Sequence, residues 1–218
     1  GGGFNPDLEA QTATGVEAGA RGLLPGGLGW ELTLFRTDLA DELVPFEIPS
    51  QPGRTFFRNA GTSRHQGVEA RLEADLGSGL GARATWTRVD ARYETFEVDG
   101  EDFAGNRIPG LAPDRLHGLL DQERPGWFWA VEAEWTDEVP VDDAGEEAAD
   151  AYALVGARVG LRGVALGGLE LSPFAAVSNA FDEAYVAAVT VNAFGGRYYE
   201  PGPGRTVHVG ATVSWSSR

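Results

Sequence analysis

The chain contains no cysteine and no lysine, and none of its apolar runs is long. Without Cys it has no disulfide, no thiol catalysis and no thiolate metal site. The longest apolar runs fall far short of the ~20 residues that a membrane-crossing helix needs. All 17 basic residues are Arg against 33 acids, a net charge of −16. That balance argues against a nucleic-acid partner, whose phosphates require a basic surface. Amphipathic helical periodicity is also missing, while Gly is abundant at 31 residues, and together these point to an all-β chain. Gly1-Gly2-Gly3 is no signal peptide and no initiator Met precedes it, so a processed or truncated piece is expected.

What is present is alternation. From Val68 to Leu76, apolar Val68, Ala70, Leu72, Ala74 and Leu76 interleave with charged Glu69, Arg71, Glu73 and Asp75. A period of two makes a strand with one apolar and one charged face. Four charges in a row on one face suit water and not a packed core. The environment is then a half-exposed soluble sheet or a membrane barrel with lipid outside and water inside. The same reading gives nine strands: Thr14–Leu23, Trp30–Thr37, Arg54–Leu76 including its lead-in, Ala82–Tyr93, Arg115–Gln122, Trp127–Thr136, Tyr152–Arg162, Leu169–Tyr185 and Arg205–Trp215. Short turns such as Pro25-Gly26-Gly27 and Gly163–Gly168 alternate with long connections broken by Pro. That up-and-down asymmetry is expected of an outer-membrane barrel, and a soluble sandwich has no reason for it. Trp127 and Trp129 near one strand end and Trp135 near the other suit two interfacial girdles. The expected fold is an antiparallel, up-and-down transmembrane β-barrel, here a partial barrel of nine strands. Because nine is odd, the sheet should stay open, with unpaired first and last strands.

Several phrases resemble the C-terminal barrel of TonB-dependent outer-membrane receptors. They are Asn5-Pro6-Asp7-Leu8, Phe35-Arg36-Thr37-Asp38 running into Asp41–Pro45, Arg58-Asn59-Ala60-Gly61 with Ser63–Glu69, and Gly105–Gly110. Val141-Asp142-Asp143, Asn179-Ala180-Phe181-Asp182 with Tyr185, and Gly196–Gly202 continue the series. In this order they cover nearly the whole chain. The resemblance implies a Gram-negative outer-membrane location and a barrel of about 22 strands with a plugged lumen. It also implies energy from the TonB complex and a small-molecule cargo such as a ferric siderophore. Residues 1–218 then match the last nine strands as one C-terminal barrel unit, with Asn5-Pro6 and the long loops outside the cell. The plug, the TonB-contacting segment and the earlier strands have no counterpart here and become expected partners, together with outer-membrane lipid. Such barrels usually end on an aromatic residue; here Ser216-Ser217-Arg218 follow Trp215.

No catalytic constellation is evident, so an enzyme is not expected, nor a resident cofactor. His65, His117 and His208 lie on three strands with no metal-ligand partner at close spacing and read as lumen-facing polar groups. Gly163–Gly168 lacks the Lys of a phosphate loop. The loop Asp137–Asp150 holds seven acids and no base. Asp142 and Asp143 are its weak candidates for Ca²⁺, set against an ordinary solvated acidic loop. Arg107, Arg197, Tyr198 and Tyr199 are the candidate ligand-binding residues, combining cation and stacking surface near a loop mouth. Tyr also suits an interfacial girdle. The functional readings are an energised receptor for a metal chelate such as a ferric siderophore, or a passive porin-like or structural barrel fragment. An outer-membrane enzyme is a third, for which no acid–His cluster is found.

Overall fold

The computed structural model describes residues 8–215. The Asn5-Pro6-Asp7 part of the first family-like phrase and the Ser216–Arg218 extension lie outside those residues. Nine long strands follow one another as antiparallel neighbours: β1 Thr12–Leu24, β2 Leu28–Ala40, β3 Thr62–Asp75, β4 Leu80–Thr95, β5 Asp114–Arg124, β6 Trp127–Thr136, β7 Tyr152–Leu161, β8 Leu169–Ser178 and β9 Thr206–Trp215. Among the described residues β1 pairs only with β2, and β9 only with β8. The sheet is open, as the odd strand count requires.

Register assigns the faces. Trp30, Leu32 and Leu34 on β2 oppose Leu72, Ala70 and Val68 on β3. Ala82, Ala84 and Trp86 on β4 oppose Leu120, Gly118 and Leu116 on β5, which meet Val131, Ala133 and Trp135 on β6. Val155, Ala157 and Val159 on β7 continue the face, and Ala175 and Val177 on β8 lead to Val209 and Val207 on β9. This outer face is apolar and open: Leu34 is 55%, Val159 55% and Val209 80% exposed. An exposed apolar surface running across nine strands marks a membrane or partner interface. Trp127 and Trp135 bound it on β6, eight residues or about 26 Å apart along the strand. Beyond Trp86 and Leu34 the same face turns charged, where Asp38 accepts from Arg36 and Arg64 at 2.9 Å each and Arg88 pairs with Asp114 at 2.9 Å. The apolar band therefore has a defined upper edge.

The inner face carries Glu31, Glu69, Arg71, Glu73, Arg83, Arg115, His117, Glu132 and Arg158. His65 and His208 also lie on it by register. One row of this face runs Phe128, Gly160, Phe174, Gly210 across β6 to β9. Each ring lies over the glycine beside it: a Cβ on Gly160 would sit 2.5 Å from Phe128, and one on Gly210 2.7 Å from Phe174. Aromatic rings covering cross-strand glycines pin register where Gly alone leaves it loose. Arg158 caps the row, its guanidinium 5.3 Å from the Phe128 ring and 4.6 Å from Phe174.

Three expectations need correction. Arg54–Asn59 is not a lead-in to the third strand: Phe56–Asn59 folds back on Leu43–Phe46 as a separate hairpin, despite Pro45. Pro45 is accommodated because this short pair stands outside the main sheet. The Gly163–Gly168 turn contains a strand segment, Val164–Leu166, which continues β7 past a one-residue bulge. The turn itself is Gly167-Gly168, with φ of 60° and 86°, the pair of positive values a two-residue hairpin turn needs. Finally, the eighth strand stops at Ser178 and not Tyr185, because Asn179 turns left-handed at φ 48°.

Facing makes a direct prediction. Val131→Arg should destabilise a complete barrel in lipid by about 2–4 kcal/mol if near the bilayer midplane, while Glu132→Arg should cost little. Equal sensitivity of the two positions in a membrane-folding titration would contradict the assigned faces.

Candidate functional site

All long connections leave the same end of the sheet: 41–61, 96–113, 137–151 and 179–205. Each carries a small hairpin, namely Leu43–Phe46 with Phe56–Asn59, Glu97–Val98 with Glu101–Asp102, Val139–Pro140 with Ala148–Ala149, and Val186–Val189 with Tyr199–Pro201. The chain's buried cluster lies here, between the loops and the strand ends, and comprises Val44, Ala60, Ala91, Tyr93, Phe96, Phe103 and Ile108. Tyr93 and Phe96 pack with ring centroids 4.6 Å apart.

A polar node joins all four loops. Asp143, 4% exposed, accepts from the Tyr93 hydroxyl at 2.9 Å and from the Asn192 amide at 3.0 Å. Its backbone N–H donates to Asn192 Oδ1 at 3.0 Å, and its carbonyl accepts from Asn106 at 2.9 Å. Asn192 also donates to the Pro45 carbonyl at 2.9 Å, and Arg58 approaches Asp143 at 3.6 Å. The Arg58 guanidinium lies 4.6 Å from the Phe46 ring centroid. Burial pushes the Asp143 carboxyl above the usual range, against the opposing pull of the Tyr93 and Asn192 hydrogen bonds and of Arg58. Nearby, Glu42 accepts from Ser63 and lies 3.5 Å from His65.

The residues singled out from sequence are spread around this mouth. Arg197 is a latch, donating to Glu47 at 3.0 Å and to the Phe194 carbonyl at 3.2 Å, so the fourth loop is fastened to the first. Asp142 caps its own turn, accepting from the Glu146 and Glu147 N–H groups at 3.0 and 3.1 Å. Tyr198 is half-buried, its phenol raised by burial and by Asp142, Glu147 and Glu146. Tyr199 donates to the Ala148 carbonyl at 3.0 Å and, with Tyr152 and Tyr185, lines a pocket of about 380 Å³. Arg107 lies in another pocket, of about 300 Å³, with Arg92, Glu138 and Glu147. Asp143 and Arg197 are thus joined to the loop packing, while Arg107 and Tyr199 border open space. Tyr93 and Asn192 were missed. Strand alternation does place Tyr93 on the polar face, beyond Thr85 and Thr87, but nothing local pairs Asn192 with a loop 49 residues away.

A family model described as "TonB dependent receptor-like, beta-barrel" matches residues 1–180. The chain belongs to the TonB-dependent receptor β-barrel family. Solved structures agree in fold. The ferric-catecholate import receptor Fiu from K12 E. coli, closed form, superposes with a TM-score of 0.68 at 20% identity, over 95% of this chain and 28% of that one. The ferric citrate transporter FecA gives 0.71 at 21%, over 93% and 31%. The copper transporter OprC gives 0.68 at 16%, over 97% and 32%. The chain therefore spans less than a third of the length of each of these structures. In this chain the four loops form one joined unit at that end of the sheet.

The node predicts collective behaviour. Asp143→Ala strands the Tyr93 hydroxyl and the Asn192 amide, each costing about 1–3 kcal/mol when buried and unpaired. Hydrogen exchange should then accelerate in 41–61, 96–113, 137–151 and 179–205 together, while β5–β6 stays protected. Acceleration confined to 137–151 would show that the loops are independent.

Proposed function

We propose that this sequence forms the C-terminal wall of an outer-membrane receptor that imports a metal chelate, such as a ferric siderophore, driven by the TonB complex. The observation carrying this reading is the one-ended, interlocked set of loops above a charged inner face and an apolar outer one. A passive pore needs no such joined mouth. The two unpaired strand edges call for further strands, since unsatisfied backbone groups in lipid cost several kcal/mol each. Those strands, and a plug filling the lumen beside Arg71, Glu73 and Arg83, come from sequence upstream. Arg107, Tyr198 and Tyr199 offer cation and stacking surface to the cargo, and Arg197 with Asp143 holds the loops that present it. The names of the neighbours fit this reading: two carry ferric complexes and one copper.

The test is uptake of radio-iron chelates by cells expressing the complete reading frame that contains this sequence, with and without a functional TonB complex. Saturable uptake that disappears without TonB is expected. Uptake unaffected by loss of TonB would make the chain part of a passive pore.

A further inference from the structure

At the loop-bearing end of the inner face, β4, β5 and β6 form a pocket of about 280 Å³. Arg115, on the middle strand, is exposed and lines it. In register it lies between Thr87 on β4 and Thr136 on β6, and in the next row His117 lies between Thr85 and Glu134. Leu116 and Trp135 of the same strands, Tyr152, and Ala187 from the fourth loop's hairpin also line the pocket. Several arginines of these strands are committed: Arg64 to Asp38 and Glu94, Arg71 and Arg83 to Glu73, Arg88 to Asp114, while Arg158 on the same inner face lies against the Phe128 and Phe174 rings. Arg115 makes no ion pair within 4.0 Å among the described residues, and its cross-strand neighbours are neutral hydroxyls.

In a chain of net charge −16 an anion meets general repulsion. A guanidinium without a carboxylate partner, flanked by hydroxyl donors and opening into the lumen, reverses that locally. Its planar fork matches a carboxylate with two parallel N–H···O bonds, and the threonine hydroxyls can donate to the same oxygens. Glu134, two residues from Thr136 along β6, disfavours a second negative charge on the same group, which selects a monoanionic carboxylate over a phosphate dianion.

We propose that Arg115, with the hydroxyls of Thr85, Thr87 and Thr136, is a subsite for a free carboxylate on the imported chelate. This rests on the chelate-import reading and adds a substrate class to it.

The experiment measures binding to the complete receptor by two iron complexes, ferric citrate as the carboxylate-bearing probe and an uncharged ferric trihydroxamate. Arg115→Gln should weaken ferric citrate about tenfold or more, since truncating one partner of a charge-assisted pair raises its off-rate. Arg115→Lys should recover only part, having lost the fork. Arg124→Gln, at the opposite end of β5, should change neither probe. Should Arg115→Gln fail to fold, Thr87→Val and Thr136→Val keep the side-chain shape and must still weaken citrate severalfold. Equal citrate affinity in wild type and variants, or binding of the trihydroxamate alone, overturns the subsite while leaving chelate import standing. Binding of neither probe to the wild type likewise overturns the carboxylate subsite, and the chelate-import reading is judged separately by the TonB-dependent uptake assay.

Discussion

In hydrocarbon no water is present to pair an exposed N–H or carbonyl, so a chain that crosses with strands must satisfy its backbone through its neighbours. The organisation of this molecule follows from that requirement. Nine strands bond side by side and leave both faces of the sheet to side chains. One face is aliphatic and exposed, and the other is charged. No second layer covers either, and the buried cluster lies at the loop end, around Tyr93 and Phe96. A soluble domain with this sheet would place its core against one face; on the outer-membrane reading proposed above, lipid takes that part. The constraint also explains the glycine–aromatic row, because a sheet with no second layer must fix its register from within. Phe128 and Phe174 do so by covering Gly160 and Gly210.

Much of this was legible in the sequence because a two-residue period is a local signal. Val68 to Asp75 and Trp127 to Trp135 each declare both faces unaided, and the alternation of short and long connections gives direction. What escaped depends on pairing between distant segments. Asp38 and Ala40 prolong β2, although their charge and small size read as loop, because Arg64 and Thr62 across the ladder hold them in register. Phe56–Asn59 looked continuous with β3 because both stretches are extended, and only its pairing with Leu43–Phe46 separates them. Asp143 stands among seven acids in a stretch that reads as solvated. Its burial becomes intelligible only once Tyr93, Asn106 and Asn192 converge on it.

The residues that carry the family likeness fall largely into one physical role. Asn59 donates to the Glu9 and Asp41 carbonyls, Asn106 to those of Asp143 and Ala144, and Asn179 to those of Glu183 and Pro203. Asp182 accepts from the Arg205 N–H at 2.7 Å and closes the fourth loop on itself. Such side chains replace the backbone partners that irregular segments lack. They give the loop end of the sheet a fixed shape.

The central claim is that one face of the sheet meets lipid and the other water. These 218 residues contain no Cys, so a label placed among them has no competitor in this stretch, and any Cys elsewhere in the complete receptor is first replaced by Ser. Single Cys residues placed along β6 from Phe128 to Trp135 in the complete receptor, spin-labelled in bilayers, report accessibility to oxygen and to a water-soluble nickel complex. The account predicts strict alternation, with positions 129, 131, 133 and 135 open to oxygen and 128, 130, 132 and 134 open to nickel or shielded from both. Absence of a two-residue period, or its inversion, would contradict it.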